Sequence, residues 1–258
     1  MLTFDPRLWF KKKETKPQGC VGLMLSEYGV AISYGMETLG DYEIHSVEFA
    51  PVPPSEQQSY VKGWVSRNKL KNADCHFILN SQDYELELIE APPVDEEEMR
   101  EAVRWRLKEL IQTPLDEAAV DVFPLPDDAY RGRMKMLYAV ATPKAIIERH
   151  LKFIRGCGLD PAVIDIPEMC LRNISLYLPE MEHGTVALLN MHETNGDMVM
   201  YSHDAMYLTR HIEMGYSSFV SEPGAFSLDT GVMVERLTLD LQRSLDYYES
   251  QLGKGVAS

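Results

Sequence analysis

The sequence has no cysteine pair at metal-ligand spacing: Cys20, Cys75, Cys157 and Cys170 form no CxxC and no Cys/His pattern. Spacing therefore excludes a structural zinc site. Each cysteine lies in or beside an apolar run, so free thiols in a reducing compartment are expected. Basic residues are scarce, 25 Lys+Arg against 40 Asp+Glu, and the formal net charge is -15. That balance excludes a nucleic-acid partner, because binding phosphate backbones needs a basic surface that releases counterions. No apolar run reaches about 18 residues, and the amino terminus lacks the hydrophobic core of a signal peptide. The chain reads as cytoplasmic. The seven histidines form no HExxH motif, and Ser217-Ser218 has no base in a nucleophile-elbow context, so metalloprotease and serine-hydrolase chemistry are unsupported. Hydrophobic content of 45% and charged content of 25% are those of a folded protein.

One local reversal of charge stands out. Met1 to Gln18 carries Arg7, Lys11, Lys12, Lys13 and Lys16 against Asp5 and Glu14, a basic leader that also holds Leu8, Trp9 and Phe10. It is suited to no more than peripheral contact with an anionic membrane surface.

The stretch around which the chain is organised is Thr185 to Gly215, which predicts a three-stranded meander. Thr185–Met191 is an apolar, β-branched strand, Asn195-Gly196 signals a hairpin with positive φ at both residues, and Met198–Tyr201 leads through His203-Asp204 into a strand over Met206–Glu213. Val21 to Gly35 repeats the design, with a Gly29 turn between two apolar runs. Two hairpins of one plan suggest two halves built alike.

Between them the spacing predicts a strand over Glu43–Phe49, a helix over Gln57–Lys69 with Tyr60, Val61, Trp64 and Val65 inward, and a strand over Cys75–Asn80. A second group follows: a strand over Tyr84–Ile89, a helix opened by Asp95 and Glu98 as a capping box, and strands over Ala119–Leu125 and Met134–Ala141. The helix buries Met99, Ala102, Val103, Leu107, Leu110 and Ile111, which leaves Trp105 off the stripe as a candidate partner contact, with the apolar rim at Val94 beside it. Thr142-Pro143 reads as the start of the next helix, and Asp165 with Glu168 as another capping box. The final helix carries Val234, Leu237, Leu241, Leu245, Tyr248 and Leu252 inward. Its charges form a solvated face, with Asp240–Arg243 and Arg243–Asp246 as i,i+3 pairs. The 14 methionines read first as core filler.

These elements resemble the PilM/MshI family of actin-like proteins of type IV pilus assembly, most specifically at Glu96–Pro126, at VIDIPEMCLRNI (Val163–Ile174) and at the LQRSLDYYES helix. The resemblance implies an α/β, actin-like (PilM/FtsA-type) fold with an α+β insertion subdomain. The divisions it implies are a leader at 1–18, a first subdomain at 19–83, the insertion at 84–162, a returning helix at 163–182 and a partial second subdomain at 183–258. It also implies a cytoplasmic position beneath the inner membrane, with capture of the cytoplasmic segment of a PilN-like protein and a connection to the pilus motor ATPase. The likeness is to the branch of mannose-sensitive (MSHA) pili.

Actin-like ATPases cradle nucleotide phosphates with two Asp-x-Gly hairpins, whose glycines let backbone N–H groups approach and whose aspartates order Mg²⁺ waters. In this chain the first aspartate position falls on Met24 and its glycine on Ser26, followed by Glu27. In the second hairpin the positions fall on Asn190 and His192. Both acids and both glycines are gone, and no counterpart of the family's glycine-rich adenosine segment precedes Ser258, which reads as a missing carboxyl-terminal segment. A scaffold without ATP hydrolysis, cofactor or metal is the expectation. The alternative is a divergent ATPase that binds Mg-ATP, with Glu27 or Glu193 at the metal, and a third reading is an α/β domain of unrelated function.

Overall fold

A computed structural model describes residues 16–38, 41–127, 129, 134–219 and 230–252. Most of the basic leader and the turn-rich link at 222–229 lie outside the described residues. The chain divides into two compact units, one of residues 1–79 with 147–164 and one of residues 80–146 with 165–258.

The first unit is built on a five-stranded sheet in the order β3-β2-β1-β4-β8. Its strands are β1 (Cys20–Ser26), β2 (Gly29–Thr38), β3 (Asp41–Ala50), β4 (Asp74–Ile78) and β8 (Asp160–Asp165). β1 is antiparallel to β2 and parallel to β4, the latter pairing reached through helix α1 (Pro54–Arg67). Strand alternation puts Val21, Leu23, Val30, Ile32, Cys75 and Phe77 on one face, each no more than 2% exposed. Against that face lie the buried Val61, Trp64 and Val65 of α1 and Ile154 of helix α3 (Lys144–Gly156). Phe77 meets His150 of α3 ring to ring at 4.3 Å. Burial pushes the Cys75 thiol up to about 12 and the Cys157 thiol up to about 11, so both are protonated and inert at neutral pH.

The second unit holds two three-stranded antiparallel sheets. One is β5 (Glu85–Glu90), β7 (Met136–Pro143) and β6 (Ala118–Pro124), ordered β5-β7-β6, with helix α2 (Glu96–Leu107) against it. Val103 and Leu107 of α2 and Ala139 and Ala141 of β7 share this core. The other is the meander β9 (Thr185–Met191), β10 (Gly196–Ser202) and β11 (Ala205–Ile212), ordered β11-β10-β9, packed by helices α4 (Pro167–Ser175) and α5 (Thr230–Leu252). Met198, Met200, Met206, Met214 and Met233 are buried in its core, the filler role that their flexible side chains suit.

Several local expectations are corrected. Asp95 occupies the N-cap of α2 but its side chain makes no capping hydrogen bond. The N-cap of α4 is Ile166, not Asp165, whose carboxylate instead accepts from the Ile166 N–H at 2.8 Å. Thr142 and Pro143 finish β7 instead of starting a helix, because the Thr142 hydroxyl donates to the Asp83 carbonyl at 2.6 Å. β8 was not expected: Pro161 near its start masks the strand signal, and an edge position in the sheet tolerates the missing N–H. On α5 the inward register is Met233, Ser244 and Tyr248, with Leu237, Leu241 and Leu245 packed partly against the core, while Val234 is 51% exposed. The Asp240–Arg243 pair forms at 3.4 Å, whereas Asp246 accepts from Gln242.

Candidate functional site

The two hairpins at which the sequence points stand in different units, and each has its own construction. In the first, β1 and β2 are joined by the two-residue turn Glu27-Tyr28. The Ser26 hydroxyl closes it, accepting from the Gly29 N–H at 3.2 Å and reaching the Gly29 carbonyl at 3.3 Å. Buried Gln57, in the first turn of α1, donates from Nε2 to the Ser26 carbonyl at 2.6 Å and to the Gly29 carbonyl at 3.3 Å. Glu27 is exposed at the tip, and half-buried Met24 is paired between Ala31 and Ile78. A hydroxyl and an amide therefore hold the turn, with a carboxylate at its tip that repels anions. Gln57 was not foreseen, since a single amide in a helical stripe carries no sequence signal.

In the second hairpin the turn is longer than expected. His192 to Asn195 lie between β9 and β10, closed by the His192 N–H donating to the Asn195 carbonyl at 2.8 Å. Neither Asn195 nor Gly196 has positive φ, so the two-residue hairpin is not formed. Gly196 is required by close approach instead: a Cβ there would stand 2.8 Å from the Asn190 carbonyl. The expected tight turn at His203-Asp204 does form, with His203 at φ 56°. Gly215 lies against the longer turn so closely that a Cβ would meet the Glu193 carbonyl oxygen at 2.3 Å. A Gly215→Ala variant is expected to lose about 1–3 kcal/mol through forced backbone displacement, measured by denaturant unfolding.

The register brings together residues that sequence spacing keeps apart. Asn190, Asp197 and His211 stand opposite one another across β9, β10 and β11. Asp197 Oδ1 lies 2.9 Å from His211 Nδ1, its Oδ2 lies 3.9 Å from His192 Nε2, and that nitrogen is 3.2 Å from Asn190 Nδ2. Asn190 and His192, two of the positions singled out from the sequence, are thus tied to a third, unforeseen residue, Asp197. Among the described residues no group of three or more His, Cys, Asp or Glu side chains is arranged to hold a metal ion.

Behind this row sits a buried carboxyl. Glu168 of α4 accepts from the Tyr84 hydroxyl at 2.7 Å, while its backbone carbonyl accepts from the Tyr201 hydroxyl at 2.6 Å. Burial raises its pKa, opposed by the Tyr84 hydrogen bond and reinforced by the charges of Asp197 and Asp165. The unfolded chain therefore releases this proton at lower pH than the folded one. Stability from this group falls as pH rises from the ordinary carboxyl range through the raised folded value, then levels off. Glu168→Gln keeps an acceptor for Tyr84 and removes the charge. It is expected to be more stable than the parent at pH 7 and equal to it near about pH 3, read from the midpoint of thermal melts across that range.

The proposed partner contacts lie elsewhere in the second unit. Trp105 is 66% exposed on α2, as the stripe analysis expects, and Leu110, assigned to the buried stripe, is 48% exposed because α2 ends at Leu107. Val94 is half-buried in the turn before α2, its N–H donating to the Pro92 carbonyl at 2.9 Å.

The chain is similar to PilM of the PilM–PilN type IV pilus biogenesis complex, with 19% identity, 92% of this chain and 79% of that chain covered, and a TM-score of 0.68. It is also similar to the cytoplasmic domain of EpsL, an inner membrane component of the type II secretion system of Vibrio cholerae. There the identity is 13%, the coverage 81% of this chain and 80% of that chain, and the TM-score 0.53. The fold is the actin-like α/β fold. No protein-family model matches the chain, and no curated protein matches it significantly. Among the described residues no helix is long and apolar enough to cross a membrane.

Proposed function

We propose that this chain is a non-hydrolysing scaffold of a type IV, MSHA-like pilus assembly platform. It lies in the cytoplasm at the periphery of the inner membrane, and it binds the cytoplasmic segment of a PilN-like protein and connects it to the motor ATPase. The observation that carries this reading is the similarity to PilM over nearly the whole chain, a protein solved as a complex with PilN. The likeness to the EpsL cytoplasmic domain, from another inner-membrane machine, agrees with it. The absence of catalysis is supported by the chemistry of the loops: Met24, Ser26 and Glu27 in one hairpin and Asn190 and His192 in the other supply neither Mg²⁺-ordering acids nor close backbone approach.

The first test is a thermal melt with and without millimolar Mg-ATP. A ligand at about 100 times its Kd adds roughly 2.7 kcal/mol, a shift of several degrees for a chain of this size. No shift is expected. A clear shift would establish the divergent nucleotide-binding reading in its place.

The second test is titration with the cytoplasmic segment of a PilN-like protein. Saturable binding is expected, weakened at least about tenfold by Trp105→Ala, since an exposed tryptophan at a contact centre carries a disproportionate share of binding energy. Absence of binding would remove the adaptor reading.

A further inference from the structure

Among the described residues, the β3 edge of the five-stranded sheet combines features that folded proteins normally avoid. β3 is a ten-residue strand at the end of the sheet, and Asp41–Ala50 contains neither lysine nor proline, the residues that ordinarily blunt such an edge. Its side chains are sorted by register with β2. Tyr42, Ile44, Val47 and Phe49 stand opposite Glu37, Gly35, Ser33 and Ala31 on one face, while Glu43 and Glu48 stand opposite Met36 and Ile32 on the other.

A bulge makes this sorting possible. His45 is the extra residue where the register shifts. Without it Val47 and Phe49 would turn to the face that carries Val30 and Ile32. The result is a continuous apolar row whose members are 55%, 68%, 74% and 59% exposed in chain order.

The opposite face of the same strand is acidic. Glu48 is engaged by the Tyr60 hydroxyl and by the Trp64 indole N–H at 3.0 Å, which pins β3 to α1. Glu43 is exposed, with the His45 imidazole 4.0 Å away.

We propose that β3 is a strand-addition site for an extended segment of a partner protein in which apolar residues alternate with lysine or arginine. An added antiparallel strand pairs along Ile44–Ala50, on the side of β3 away from β2, and continues both faces of the sheet. Its apolar residues extend the Ile44–Val47 row and its cations lie beside Glu43. A second copy of this chain is disfavoured by charge. Antiparallel self-pairing gathers Glu43 and Glu48 of both copies on one face, and a chain of net charge -15 repels itself.

The test uses three labelled synthetic peptides of about ten residues. One alternates valine and lysine, one alternates valine and glutamate, and one has the composition of the first in an order that breaks the alternation. Binding to the full chain is read by fluorescence anisotropy, and its location by amide hydrogen exchange. The Val/Lys peptide is expected to bind at least about tenfold more tightly than either of the others and to slow exchange within Asp41–Ala50. Glu43→Lys is expected to shift preference toward the Val/Glu peptide, and Val47→Asp to weaken binding about tenfold. Both positions are exposed, and an unchanged melting midpoint confirms that the variants fold. Equal binding of the disordered-pattern peptide, or protection outside β3, would overturn the proposal by showing mere attraction to an acidic chain. So would a dimer, seen in sedimentation, that Val47→Asp dissociates.

Discussion

Replacing Phe77 by alanine is expected to cost the first unit about 3–5 kcal/mol, the range for a fully buried aromatic side chain. Phe77 is fully buried, and its ring meets His150 at 4.3 Å. Its place in the topology makes the loss larger than its volume alone suggests. β4 is the last strand before the chain leaves for the second unit, and α3 carries it back. The Phe77–His150 contact therefore joins the two ends of a long excursion, and removing it leaves both a cavity and a weakened return. Chemical denaturation of Phe77→Ala beside the parent measures the effect. A loss below about 1 kcal/mol would mean that the site collapses around the smaller side chain.

Leu107→Ala is expected to cost about 2–5 kcal/mol in the second unit. Leu107 closes the last turn of α2, fully buried with Val103 against Ala139 and Ala141 of β7. The same helix presents Trp105 to solvent two residues earlier, so loosening its packing should also weaken capture of a PilN-like segment under the function proposed above. Leu110, just beyond the helix and 48% exposed, supplies the control: Leu110→Ala is expected to change stability by no more than about 0.5 kcal/mol. Equal losses from the two leucines would place the boundary of the buried stripe wrongly. The contrast also separates a folding defect from a contact defect, because Trp105→Ala should reduce partner binding while leaving the melting midpoint in place.

The two hairpins, each taken by itself, were legible in the sequence to different degrees. At the first hairpin the outcome is local, because a two-residue turn leaves Ser26 and Glu27 where the register puts them. At the second, Asn190 and His192 were singled out from the sequence, but their partner was not. Asp197 became part of the row only through cross-strand pairing with Asn190 and His211, residues 7 and 14 positions away. The buried state of Glu168 was likewise invisible. Its three-residue offset from Asp165 fits a capping box, yet Tyr84, just before β5 and more than 80 residues earlier, takes its carboxylate instead.

By itself the sequence determined the element order nearly throughout, because strand alternation and helical spacing are local and survive any packing arrangement. It determined that Val61, Trp64, Val103 and Leu107 face inward and that Trp105 does not. Tertiary structure alone decided the rest. Capping side chains were drawn to other partners, β8 was recruited as a sheet edge despite Pro161, and the register of α5 turned Val234 outward. It also placed His45 as the extra residue that sets four apolar side chains in one exposed row. Each of these depends on which groups a distant segment offers, and a hydrogen bond or buried contact made across the fold outweighs the weak local preference that the sequence displays.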